Sequence, residues 1–294
     1  MNGVSGKKSA ASRIGHLFVV IVILTFLLLP LLVTFLFSIS TVWDHTILPK
    51  GYSFDSYAAL FSDDRFLLAL GRSFLVASVT VVLSLIVMVP TIFIVSLYVP
   101  KLERWLQSVV LMPFAVPGVV AAVGLIKLYS SPPFAISGTI WILIGVYFII
   151  ILPFVYQSTR NSLRSVNAAE LMEAAEVLGA DKPAAFAQVI LPNIMPGIIA
   201  ASLLSFSIVF GEFVLANMLV GGSYEVVQVY LYHMLGTDGH RSSATIVTFF
   251  LLVLILYVLV LKFGQRKPRT AVTSDAKEGN PFELRPDSKR VEKF

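Results

Sequence analysis

Long apolar runs separated by short polar intervals dominate this chain. Six of them, at 17–39, 73–99, 105–125, 138–156, 194–218 and 243–261, are each long enough to cross a membrane as a helix. A hydrocarbon core of about 30 Å needs roughly 20 apolar residues at the rise of an α-helix. Lipid offers no partner to backbone N–H and C=O groups, so only helices or closed barrels span it. The pattern therefore predicts an all-α integral membrane protein with six transmembrane helices. No small-x-small cleavage site follows the first run before Trp43, and the run is longer than a signal-peptide core, so it reads as a retained anchor.

The polar intervals carry topology. Seventeen of the 22 lysines and arginines fall on one side of the six spans if the N-terminus starts there, including Lys7, Lys8, Arg13, Lys101, Arg104, Arg160, Arg164, Lys182 and nine after Leu261. Lys50, Arg65, Arg72, Lys127 and Arg241 fall on the other. Cytoplasmic loops hold the basic excess, which predicts both termini inside. The predicted organisation is an anchor helix with a first outer loop (1–66), a core (67–264) and a disordered cytoplasmic tail (265–294) that mixes charge of both signs with proline. The outer loop at 40–72, with Trp43, Asp44, Asp55, Asp63 and Asp64, is long enough for a small structured cap or a partner contact.

Proline and glycine punctuate the spans at Pro90, Pro113, Pro117-Gly118, Pro153 and Pro196-Gly197. Proline removes a backbone donor, and such breaks sit against protein or a polar cavity. The dense run Met112–Gly118 predicts a helix break, with Pro117 and Gly118 lining a solute pathway.

The longest cytoplasmic interval, 161–193, is patterned rather than disordered. Leu171, Ala174, Ala175 and Leu178 recur at i, i+3, i+4 and i+7, beside an acidic stripe of Glu170, Glu173 and Glu176. Asn167 is placed to cap the helix with Glu170 three residues on, and Gly179 to end it in the left-handed conformation. Asp181 then caps a second short helix, which Leu191-Pro192 closes where the fifth span begins.

In this interval stand Glu173-Ala174-Ala175, Gly179, Val189 and Leu191-Pro192. Their identities and spacing resemble the signature of the binding-protein-dependent permeases of ATP-binding-cassette (ABC) importers with the type I fold, with Val189 where isoleucine is usual. The resemblance extends over about 67–264. It implies that Glu173, Ala174, Ala175, Gly179, Leu191 and Pro192 belong to a coupling helix seated on a cytoplasmic ATPase. It further implies two ATPase subunits, a second permease chain, identical or homologous, and an extracytoplasmic solute-binding protein. ATP and Mg²⁺ would be held by the ATPase partner, with no cofactor on this chain. The implied location is a bacterial or archaeal inner membrane, and the mechanism is alternating access. Within the family the pattern, including Gly211-Glu212-Phe213, looks most like the branch handling polyamines, phosphonates or iron(III), with polyamine-like cations favoured.

Composition narrows the alternatives. The chain is 57% hydrophobic and 13% charged, far greasier than a soluble domain, and has no cysteine, which removes thiolate chemistry. Its net charge of +5 is spread along the intervals rather than gathered in one patch, so nucleic acid is not an expected partner, whereas lipid is. His16, His45, His233 and His240 lack metal-ligand spacing, and Gly6-Lys7-Lys8-Ser9 lacks the first glycine of a phosphate loop. Glu212 is the clearest ionisable residue within a span. A charge there costs about 3 kcal/mol on insertion scales, so it faces the interior, either near the solute or paired with Arg72 or Lys127. Phe206, Phe210 and Phe213 read as helix packing. Tyr224 and Glu225 read as loop surface open to a binding protein. A secondary transporter would show more intramembrane charge and inverted repeats, and a membrane enzyme would show paired acids or histidines within the spans.

Overall fold

The computed structural model describes residues 10–43 and 46–264, with side chains omitted for 10–14 and 263–264. Asp44, His45, Lys7, Lys8, the 6–9 segment and the tail from 265 lie outside the described residues, as does the Arg13 side chain. In chain order the helices are α1 (Ala10–Ser38), α2 (Asp55–Phe61), α3 (Asp64–Tyr98), α4 (Pro100–Leu111), α5 (Gly118–Tyr129), α6 (Ile140–Ser165), α7 (Ala168–Val177), α8 (Lys182–Ala185), α9 (Leu191–Phe210), α10 (Val214–Leu219), α11 (Val227–Leu235) and α12 (Gly239–Gly264). A 3₁₀ turn, Met112–Ala115, follows α4, and a π-helical segment, Phe186–Ile190, joins α8 to α9.

Five helical stretches are long and apolar enough to cross a membrane: Gly15–Ser38, Asp64–Tyr98, Ile140–Ser165, Lys182–Phe210 and Gly239–Lys262. The expected third span is not one straight helix. Pro100–Ala115 and Gly118–Tyr129 meet at a 97° bend, so the pair forms either a broken sixth span or a re-entrant loop. Val116, immediately before Pro117, is extended (φ −110°, ψ 120°), because the proline ring disfavours helical geometry in the preceding residue. The predicted break at 112–118 is present. Pro90, Pro153 and Pro196, by contrast, lie inside continuous helices rather than interrupting them. A lone proline forfeits little more than one ladder bond, which neighbouring helices can hold in place.

Two spans run well past their hydropathic limits. α3 begins at Asp64 rather than Ser73 because the Asp63 carboxylate accepts the Arg65 N–H and caps it. α6 continues to Ser165, carrying Arg160 and Arg164 beyond the apolar stretch. The fifth span starts and ends earlier than expected: it runs from Lys182, α9 ends at Phe210, and the chain turns at Gly211–Phe213 into the short α10.

α3, α6 and α9 pack together at the centre, α5 lies against α10, and α1 rests on α12. The buried apolar residues fall into three groups. The largest joins α3, α5, α6, α9 and α10 through Val76, Leu143, Tyr147, Phe206, Phe210 and Ala216. A second lies at the other end of the same helices and includes Phe93, Tyr156, Met172, Ala175, Ile190 and Ile194. The third ties α2 and the start of α3 to α11 and α12. The interval between α1 and α3 is structured, as the cap reading expected: Ser40 and Tyr52 form an antiparallel bridge, and α2 follows.

Candidate coupling surface and the broken span

α7 is rooted in the second apolar group. Ala168, Met172 and Ala175 are buried at i, i+4 and i+7, with Leu171 partly buried beside them. This corrects the predicted stripe, of which only Leu171 and Ala175 face inward. Ala174 and Leu178 face outward with Glu173, and Val177 and Leu178 are 86% and 88% exposed. The pattern had two overlapping apolar stripes, and packing against Phe93, Leu163 and Ile194 decided which one turned in.

The end of α7 follows the predicted mechanism. Gly179 has φ +88°, the Ala180 N–H donates to Ala175 O (3.0 Å), and the Gly179 N–H donates to Glu176 O (2.9 Å). These are the two bonds of a Schellman cap, which needs a left-handed residue and so favours glycine. The start of α7 differs from expectation. Asn167 occupies the boundary, but in the left-handed conformation (φ 51°), and its side chain makes no capping bond. Asp181 does cap α8, accepting the Ala184 N–H at 3.1 Å.

Leu191-Pro192 does not close that helix. The Leu191 N–H reaches back five residues to Phe186 O, a π-type bond, and the helix runs on into α9. Pro192 lacks an N–H and sits in the first turn of α9, where a shifted register tolerates it. The Asn193 side-chain amide donates to Val189 O (2.8 Å), supplying one carbonyl in this segment with a donor. Leu191 packs against the same apolar group as Ala175, so the two ends of the signature share one core.

Glu212 pairs with neither Arg72 nor Lys127. Its carboxylate accepts the N–H groups of Leu215 (2.9 and 3.1 Å) and Ala216 (3.1 Å), in the first turn of α10, and the hydroxyl of buried Tyr147 on α6 (3.0 Å). The acid thus supplies acceptors to backbone donors freed by the break. Arg72 instead lies over the Tyr224 ring at 5.0 Å. Pro117 and Gly118 head α5, which packs on α10, so the two breaks flank one packed pair, although Glu212 itself contacts α6. Phe206 and Phe210 are buried and stacked, as expected, and Phe213 lies against Tyr232.

Two ionic clusters carry no local signal in the sequence. In one, Arg65 at the head of α3 grips Glu225 with two 2.7 Å bonds, and His233 Nδ1 lies 2.9 Å from the same carboxylate. Glu225 is 6% exposed, so it is a buried tie rather than open loop surface. Burial alone would raise its carboxyl, but the hydrogen bonds and charges of Arg65 and His233 outweigh this and hold it below the ordinary carboxylate value. Burial likewise acts to raise Asp63, and the Tyr230 hydroxyl, nearby backbone N–H groups and Arg241 override it in the same direction. Tyr230 is pushed up to about 12, by burial and then by its bond to Asp63. In the other cluster, Arg160 donates to Glu103 on α4, and Arg164 approaches the same oxygen at 3.5 Å.

The arrangement is that of a helical membrane core presenting one short, rigidly rooted helix. Comparison with known proteins agrees. Residues 66–267 match the family described as binding-protein-dependent transport system inner membrane component. The putative 2-aminoethylphosphonate transport system permease protein PhnV of Salmonella typhimurium is 26% identical over 249 residues, covering 82% of this chain and 89% of that protein. The spermidine/putrescine transport system permease protein PotC of Haemophilus influenzae is 26% identical over 212 residues, covering 72% and 81%. A chain in the crystal structure of a bacterial ABC transporter importing the acidic polysaccharide alginate superposes with a TM-score of 0.66 at 20% identity, covering 88% of this chain and 99% of that one.

Proposed function

This chain belongs to the binding-protein-dependent transport system inner membrane components, the permease subunits of ABC importers, and we propose that it moves a small amine-bearing solute inward, driven by a pair of separate cytoplasmic ATPase subunits, one of which seats against α7. The observation that carries the reading is the outward face of α7. Glu173, Ala174, Val177 and Leu178 are exposed on a helix whose other face and C-terminal cap are tightly held. An apolar tip with a carboxylate beside it, on a rooted helix, suits a groove in a partner that pushes and pulls. Small Ala174 permits close approach.

The partner ATPases hold ATP and Mg²⁺, a second permease chain completes the pathway, and a solute-binding protein delivers from outside, with both termini of this chain in the cytoplasm. The solute class rests on the relatives. Both 2-aminoethylphosphonate and spermidine or putrescine carry an aliphatic ammonium, the group that the polyamine-like expectation names. The pathway passes the breaks that frame α5 and α10, where Pro117, Gly118 and Glu212 lie.

The test is co-purification with the proteins encoded beside this chain, followed by ATPase and uptake assays in liposomes with the loaded binding protein. Leu178→Asp and Glu173→Lys are expected to lower uptake at least about tenfold at unchanged expression, the effect of losing an interface contact of 1–2 kcal/mol or more. Wild-type uptake by both variants would remove the coupling role from α7. Uptake without any ATPase would point to a secondary transporter instead.

A further inference from the structure

At the root of α7 a cavity of about 280 Å³ opens between the end of α3, α4, the end of α6 and the first turn of α7. Its polar lining residues are Ser96, Glu103, Arg160, Arg164 and Asn167, and Ala168 and Ala169 of the first turn of α7 line it as well. We propose that this cavity is an oxyanion site, taking a phosphate group, free or on an anionic lipid headgroup, between Arg160, Arg164 and the start of α7.

Three observations carry the assignment. Two guanidiniums converge on one carboxylate, and both address the same oxygen of Glu103, which leaves the cavity with an unmatched positive charge. Arg160 uses its Nε on Glu103, so the donors at the far end of its guanidinium remain outside that bond. The first turn of the ten-residue α7 also meets the cavity without a side-chain cap, because Asn167 is left-handed and its amide does not turn back. A helix start of this kind offers N–H donors and the positive end of the dipole to an anion. Glu170, the acid of that turn, is exposed and does not line the cavity.

Guanidinium and backbone amide donors gathered around one small volume recognise a tetrahedral oxyanion. Two sources of that chemistry are available at the inner membrane surface, where the positive-inside count places this end of the molecule. A phospholipid reaches it along α4, whose Leu102, Trp105 and Val109 are exposed at i, i+3 and i+7 with Lys101 and Arg104 beside them. Inorganic phosphate reaches it from the cytoplasm. The assignment is independent of which solute is transported.

The full chain, with whatever subunits co-purify, is placed in nanodiscs of phosphatidylcholine alone or with phosphatidylglycerol, and its melting is followed with phosphate or with chloride at matched ionic strength. The proposal expects Tm to rise by about 3 °C with phosphate or with phosphatidylglycerol, as for a ligand that binds only the folded state. A rise with phosphate in phosphatidylcholine identifies a free oxyanion, and a rise with phosphatidylglycerol alone identifies the lipid headgroup. Arg164→Gln, which leaves Arg160 bracing Glu103, is expected to abolish the rise. Ala169→Glu, which places a carboxylate at the mouth and favours the helix start, is expected to do the same without destabilising the chain. No rise in either medium, or a rise that survives in either variant, overturns the site.

Discussion

At the residue scale, the tie between Arg65 and Glu225 shows how a buried charge is kept. The carboxylate is almost fully covered, and it is tolerated because a bidentate guanidinium and an imidazole meet it. Removing Arg65 leaves the acid buried and unpaired. Since Arg65 is half exposed, Arg65→Ala is expected to cost about 2 kcal/mol, below the range for fully buried pairs, measured as a fall in Tm of the purified chain. The pH dependence has a definite sign. The Glu225 and Asp63 carboxyls are depressed in the folded state, so their stabilisation is complete above the ordinary carboxylate pKa and is lost as pH falls through the folded values. The Tm gap between wild type and Glu225→Gln is therefore expected to shrink as pH falls below about 4.

At the element scale, the crossing of α6 and α9 depends on one missing side chain. A Cβ built at Gly197 would overlap Ser162 Oγ, and the Ser158 hydroxyl donates to Gly197 O at 2.8 Å, so the two backbones lie very close. Small residues permit such approach in membrane bundles, where packing replaces the hydrophobic effect as the source of association. Gly197→Ala is expected to force the helices apart at a cost of about 2 kcal/mol, seen as lower yield and Tm. Adding Ser162→Gly should recover part of that loss, whereas Gly145→Ala, with open space around its Cβ, should be near neutral. The sequence marked Pro196-Gly197 as an interruption, but the helix continues there. The glycine serves the neighbouring helix rather than a kink.

At the scale of the whole molecule, the three apolar groups sit along one axis, with α7 anchored at one end and the Arg65–Glu225 tie at the other. The same α3, α6 and α9 contribute to both of the larger groups. The basic excess predicts that both ends of the chain lie inside. Alkaline phosphatase fused after Leu261 is expected to be inactive, and fused after Gly222 active, since that enzyme requires an oxidising exterior; the reverse result would invert the molecule.

Membrane residence, the approximate positions of the spans and the signature around Glu173 and Gly179 were legible in the amino-acid order alone, because hydropathy over 20 residues and spacing within one or two helical turns are local properties. The Gly179 cap and the Asp181 cap follow from neighbours a few residues away, and both stand as read. What the order could not settle is whatever depends on distant partners. Two apolar stripes were available on α7, and only contact with α3, α6 and α9 selected Ala168, Met172 and Ala175 for burial. Glu212 was visible as a charge in a span, but its partner Tyr147 lies 65 residues away, and Arg65 and Glu225 are 160 apart. The free energy of a buried charge or hydroxyl is set by which groups packing brings within about 3 Å of it, and that is decided only when the helices meet.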